Sequence, residues 1–225
     1  MANTQWGVTL NSAQIQFTPS LNDHGPLFTL LNELHPNYPQ AQQSQAAATV
    51  TVQTDKGPQM QQGQVPQWTL AHKGGKHVIQ LTPLTVMIEE VTPNSNLNQI
   101  TTDLGPVWQS TTTCLKPQDV NRVTMHQVCS VPVAGSRPKQ WMKQCSFLPA
   151  CLFEEGMRGT ARVEFFPKKD MRVVLSIGPN SQDWLLCDID VSMVGTLPTN
   201  WKDLSKSITT VSKECDTILA ACLKR

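Results

Sequence analysis

From Trp201 to Cys222 the apolar residues follow alternating steps of three and four: Trp201, Leu204, Ile208, Val211, Cys215, Ile218 and Cys222. That spacing gives a helix one apolar stripe, which has to be covered by the apolar face of something else. Thr199 or Asn200 supplies an N-cap. An earlier segment has the same character. After Pro93-Asn94-Ser95-Asn96, a helix-start signal, the residues Leu97, Ile100, Leu104, Val107, Trp108 and Leu115 recur at helical spacing. Gly105-Pro106 is expected to kink or interrupt this helix, because proline lacks a backbone donor and crowds the preceding turn.

Each long helix closes a run of segments in the same order. In the first run, Val8 to Phe17 alternates Ala13, Ile15 and Phe17 against Gln14 and Gln16, the pattern of a half-buried strand. A short helix follows, capped by Asp23, started at Pro26, striped by Leu27, Leu30, Leu31 and Leu34, and stopped at His35-Pro36. Gln40 to Ala48 reads as a connector ahead of a strand at Thr49 to Thr54. Asp55 to Gln67, with two prolines, two glycines and many glutamines, reads as an exposed loop. Trp68 to Leu70 and Val78 to Leu81 then form a hairpin about Gly74-Gly75, whose positive φ angles suit a two-residue turn. Thr85 to Val91 adds a strand.

The second run opens with a strand at Val120 to Val133 and a short helix from Ser136-Arg137-Pro138 to Pro149 that carries Trp141, Met142, Cys145 and Leu148. Strands follow at Gly159 to Phe166, Met171 to Ile177 and Trp184 to Val194. The expected fold is α+β: two similar units of strand, short helix, antiparallel sheet and long helix, related by a pseudo-two-fold axis. The first spans residues 1–116 and the second 117–225, packed as one compact unit with the long helices on one sheet face and the other face open.

Composition narrows the setting. Charged residues make up 16% of the 225, below the usual quarter, and Gln, Thr, Ser and Asn fill the difference. The net charge of +1 hides an asymmetry. Residues 1–115 carry three lysines against six acids, and residues 116–225 carry fifteen basic residues against eleven acids. The seven cysteines are odd in number and several fall at apolar positions of expected helices or strands, so they read as buried thiols in a reducing compartment. No leader-like start and no apolar run long enough to span a bilayer is present, so a cytoplasmic protein is expected.

Candidate chemistry is sparse. Asp188 and Asp190 lie two apart on a strand, so both carboxylates share a sheet face, as a common cation or an acid–base pair would require. Arg162, Glu164 and Arg172 on neighbouring strands offer the plainer alternative of cross-strand ion pairs. His72 and His77 flank Gly-Gly closely enough to bind a metal together, but two ligands do not make a zinc site, and an exposed hairpin tip is the simpler reading. A Cys129–His126 pair would need a bulge, because residues three apart face opposite sides of a strand. No nucleophile elbow, phosphate loop or dinucleotide fingerprint occurs. Arg162, Lys168, Lys169 and Arg172, with Arg137, Lys139, Lys143 and Arg158, form a basic cluster interleaved with Trp141 and Phe166. Stacked aromatics among cations suit nucleic acid, while Glu154, Glu155, Glu164 and Asp170 dilute the charge.

Over nearly its whole length the chain resembles a sporadically distributed family of uncharacterised bacterial proteins. Pro26-Leu27-Phe28 to Tyr38-Pro39, Pro66-Gln67-Trp68 to Ile79-Gln80-Leu81, Asn121-Arg122-Val123 and Asp188-Ile189-Asp190 carry the resemblance. Where that family follows its Arg-Val pair with a longer Arg-Tyr stretch, this sequence has Thr124-Met125-His126-Gln127. The resemblance implies a bacterial origin and no established activity, and its patchy occurrence fits mobile or defence-related genes.

With no catalytic constellation and no cofactor signature, the expectation is a non-enzymatic bacterial cytosolic interaction protein of an anti-phage or toxin-related system. Its open sheet face or Gln-rich loop would engage a protein partner encoded by a neighbouring gene, and self-association is open. The alternatives are a nucleic-acid-binding module using the basic cluster, with Arg162, Lys168, Lys169 and Arg172 as contacts, and a metal-dependent enzyme centred on Asp188 and Asp190.

Overall fold

The computed structural model describes residues 7–19, 25–54, 57–91, 97–132, 160–179 and 184–223. The fold is α+β. Nine strands form one antiparallel sheet and three helices are described. In chain order these are β1 (Gly7–Thr18), α1 (Gly25–Leu34), β2 (Gln40–Thr54), β3 (Gly57–Ala71), β4 (His77–Leu81), β5 (Thr85–Glu90) and α2 (Leu97–Leu115). Then come β6 (Asp119–Pro132), β7 (Ala161–Lys168), β8 (Met171–Pro179), β9 (Trp184–Leu197) and α3 (Trp201–Leu223). The second short helix, with Trp141, Met142, Cys145 and Leu148, and the cluster members Arg137, Lys139, Lys143 and Arg158 lie outside the described residues.

The sheet runs β2-β3-β4-β5-β1-β6-β9-β8-β7. Its middle is the long β1–β6 pair, registered from Gly7↔Ser130 to Thr18↔Asp119. Alternation then sorts the side chains. Ala13, Ile15 and Phe17 of β1, Val86 and Ile88 of β5, Val123 and Met125 of β6, and Ile189 and Val191 of β9 are all buried. Onto that face pack α2, against β1 and β5, and α3, against β6 and β9; α1 rests on α2. Trp108 is the largest side chain fully buried between the layers. Its indole N–H donates to the Thr199 carbonyl (2.8 Å) and its ring meets Phe17 edge to face at 5.7 Å, so one residue of α2 ties β1 to the start of α3.

Pro106 lies inside α2, and the helix continues through it to Leu115; the expected interruption is absent. The neighbouring glycine does different work. A Cβ at Gly105 would meet the Trp201 ring at 3.0 Å, so the missing side chain allows α2 and α3 to approach. Lys116 then ends α2 in a left-handed conformation (φ 47°) and turns the chain into β6. At the other helix, Asn200 is the cap: its side-chain oxygen accepts the Asp203 backbone N–H at 3.0 Å.

The clearest departure from expectation is the segment read as connector and Gln-rich loop. Residues 40–54 and 57–71 are paired strands, in unbroken register from Gln40↔Ala71 to Thr54↔Gly57. Only Trp68 to Ala71 of β3 also pair with β4, so most of this ribbon projects past the body of the sheet. Its prolines are accommodated by direction. The His72 N–H donates to the His77 carbonyl (3.1 Å), so the even-numbered residues of β3 aim their backbone groups toward β4 and the odd-numbered ones toward β2. Pro58 and Pro66 are even-numbered, and their missing donors face the side where β4 does not reach. The composition that signalled a loop is that of a strand whose inner edge needs no partner. The following turn also differs: four residues, Lys73 to Lys76, join the His72–His77 pair, with Gly75 at φ 65°.

Candidate functional site

The sheet face opposite the helices holds a polar surface with two unlike flanks. On the β6–β9 flank, Asp188 and Asp190 share a face as their spacing requires, and each has a near neighbour. Asp188 Oδ1 lies 2.8 Å from His126 Nε2 on β6. Asp190 Oδ1 accepts the Ser192 hydroxyl (3.0 Å), which is itself 3.0 Å from the Thr124 hydroxyl. The hydrogen bond to Asp188, with the charges of Asp188, Asp190 and Glu89, raises the His126 pKa above the usual histidine value against the opposing effect of burial. His126 therefore serves this carboxylate and does not face Cys129, which is buried on the helix side with its thiol pushed up to about 12 by burial.

Of the basic residues, Arg172 makes a two-pronged contact with Glu164, its Nε and Nη2 donating to the two carboxylate oxygens at 2.8 and 3.0 Å. This pair is the cross-strand bridge that spacing allowed. Arg162 stands opposite Ser176, while Lys168 closes β7 opposite Met171; Lys169 follows in the turn. All three are exposed, as is Phe166 at 63%. The structure thus brings Arg172, Asp190 and Ser192 into adjoining strands but leaves Lys168 and Lys169 at the strand end. Among the described residues no three His, Cys, Asp or Glu side chains gather as metal ligands.

The other flank is made of amides. The sheet curls so that Ala46 and Ala47 of β2, Val65 and Gln67 of β3, Gln80 of β4, Thr85 and Met87 of β5, and Gln14 and Gln16 of β1 line one concavity of about 360 Å³ with Thr82 and Leu84. No charged side chain lines it. Gln67 Nε2 donates to Gln80 Oε1 at 2.6 Å, orienting both amides. The Thr82 hydroxyl accepts the backbone N–H groups of Leu84 and Thr85 at 3.1 and 3.0 Å and holds the turn at the rim. Sequence reasoning missed this site: the alternation of Gln14 and Gln16 with core residues was the one local signal, while Gln67 fell in a segment read as loop and meets Gln80 only through strand pairing.

A second arrangement that spacing did not reveal crosses the buried face. Gln127 Nε2 donates to Asn11 Oδ1 (2.9 Å), Asn11 Nδ2 donates to Glu90 Oε2 (3.1 Å), and the Cys215 thiol reaches Gln127 Oε1 at 3.9 Å. Asn11 and Gln127 are fully buried, so the row satisfies side chains that would otherwise be costly in a core. Nearby, buried His77 holds the Tyr38 hydroxyl at 2.7 Å through Nε2, and its Nδ1 faces Asp103 Oδ2 at 3.7 Å. Burial lowers the His77 pKa, with Asp103 opposing, and burial raises that of Tyr38. His72 Nδ1 accepts the Gly74 backbone N–H (3.0 Å). Both histidines of the hairpin are thereby committed to structural contacts, and His77 is buried where an exposed tip was expected.

No protein-family model matches the sequence and no curated protein matches it. Among solved structures the chain is similar to the di-domain ARO/CYC StfQ from the steffimycin biosynthetic pathway, at 10% identity over 96% of both chains and a TM-score of 0.23. A score that low carries no inference about fold or activity. No described helix is long and apolar enough to cross a membrane.

Proposed function

We propose that the chain is a non-enzymatic interaction protein that receives a protein partner on the amide-lined concavity of its open sheet face. The observation that carries this reading is the lining itself: four glutamine amides and two threonine hydroxyls around Met87, Val65 and Leu84, without a charge. Amides offer donors and acceptors together, which suits the alternating groups of a peptide backbone, and the aliphatic floor suits its side chains. Acid–base or nucleophilic chemistry needs a titratable group, and none lines this hollow.

The same reading keeps the two halves as variants of one unit about a pseudo-two-fold axis. It is supported by the strand order outward from the β1–β6 pair, β1-β5-β4-β3 on one side and β6-β9-β8-β7 on the other. Under the family resemblance the setting is bacterial and cytosolic, in mobile or defence-related genes, with the partner encoded beside this chain. The test is a photo-cross-linker placed at Met87 in the product of the native locus. The reading expects one defined adduct, lost in Gln14→Lys; no adduct at Met87, with adducts at Phe166, would defeat it.

A second reading, nucleic acid along β7 and β8, rests on exposed Phe166 beside Lys168 and Lys169. It expects affinity that falls steeply with salt and weakens in Lys168→Gln/Lys169→Gln. No binding at low salt discards it.

A further inference from the structure

We propose that the outer edge of β2 is a self-association seam, pairing antiparallel with β2 of a second copy so that two sheets become one. The direction of the backbone groups comes first. Even-numbered residues of β2 bond to β3, because their partners are the odd-numbered residues of β3. The odd-numbered residues from Ala41 to Gln53 therefore point their N–H and C=O groups away from the sheet. Among the described residues no strand takes them.

Free edges of this length are normally blunted by charge, proline, a bulge or brevity. The sheet uses these devices selectively. Its far edge, β7, is short, carries Arg162, Glu164, Pro167 and Lys168, and shifts register between Phe165 and Lys168. The inner edge of the ribbon carries Pro58 and Pro66 with their missing donors turned outward. The outer edge of β2 alone has neither proline nor charge, and its register with β3 is unbroken over 15 residues.

A second copy fits this edge better than a strand of unlike chemistry. Antiparallel self-pairing centred on Ala46 to Ala48 sets Gln and Ser of the first half against Thr and Val of the other, with alanines at the axis and no like charges opposed. Odd-numbered residues meet odd-numbered residues, so every outward donor finds an outward acceptor. The contact is isologous and closes on itself: two copies consume both unguarded edges and leave β7, the guarded one, at each end. The edge spans about 50 Å at the usual rise per residue. The seam runs along the backbone edge of β2, and because Ala46 and Ala47 of that strand also line the concavity, its test is read as oligomeric state and not as partner capture.

Sedimentation equilibrium of the full chain tests it. The wild type is expected to be a dimer, and Gln43→Lys/Gln45→Lys, which brings four like charges to the seam, is expected to be a monomer with an unchanged circular dichroism spectrum. Ala47→Pro, which removes an outward donor without touching a β2–β3 bond, is expected to raise the dissociation constant by about tenfold or more. Phe166→Lys on the far edge should change nothing. A wild-type monomer overturns the proposal, as does a dimer that the β2 variants leave intact. Protection of the β2 edge only when a heterologous strand peptide is added also overturns it, in favour of a different occupant.

Discussion

The two flanks of the sheet solve the same problem by opposite means. At the β7–β9 flank the polar surface is ionic: Arg172 bridges Glu164, Asp188 holds His126, and the edge strand is bulged and charged. At the β2–β3 flank the surface is built from amides and alanines, and the edge carries no charge at all. Ionic surfaces repel unsuitable neighbours and stay solvated, whereas an uncharged edge of aligned donors invites a strand. The contrast teaches that one continuous sheet can carry both an edge guarded by charge and a bulge and an edge that has neither.

If the ribbon were an accessory hung on that sheet, its root would matter little. Trp68, 6% exposed and 6.1 Å from the Phe28 ring, says otherwise. Trp68→Ala is expected to cost about 3 kcal/mol or more in chemical denaturation, as removal of a large buried aromatic does. A loss within experimental error would detach the ribbon from the core and break the comparison at its base.

A smaller effect separates the flanks by pH. His126 on the ionic flank has a raised pKa, so its contribution is fully present below about 6.5, the unfolded value, and is lost as pH rises through the folded value. Buried His77 has a lowered pKa, so its contribution is present above about 6.5 and is lost as pH falls below it. The two therefore act in adjoining windows of the wild type, His126 above about 6.5 and His77 below it. In His126→Gln, the decline in stability as pH rises above about 6.5 is expected to be smaller than in the wild type, by less than about 1 kcal/mol because the pair is a third or more exposed, while the slope below about 6.5 stays the same. An unchanged pH profile would show that the His126–Asp188 contact is energetically silent.

The smallest effect is expected at Arg172. Its bridge to Glu164 lies in solvent, so Arg172→Ala should leave the melting temperature within error at physiological salt. A clear drop would mean that the ionic flank is held together by its charges.

The core was legible because alternation and helical spacing are local. Ile15 and Phe17 declare a buried strand face, and Leu204, Ile208 and Val211 declare a buried helix stripe, whatever lies far away. The shared face of Asp188 and Asp190 followed in the same way. The ribbon was legible only at its strands Thr49 to Thr54 and Trp68 to Leu70; Gln40 to Ala48 and most of Asp55 to Gln67 were not. Its glutamines, glycines and prolines are ordinary loop composition, and they make a strand only because each proline falls on the side that needs no donor, a matter of register that one strand alone does not reveal. The concavity and the Asn11–Gln127–Glu90 row depend on strands far apart in sequence coming into line, which no window of the sequence contains.

Residue-resolved amide exchange of the full chain, followed with dilution, tests the contrast between the edges most directly. The odd-numbered amides of β2 are predicted to be protected at high concentration and to lose protection on dilution while its even-numbered amides keep theirs; the outward amides of β7 should exchange freely throughout. Odd-numbered β2 amides that exchange as freely as those of β7 at every concentration would contradict the account.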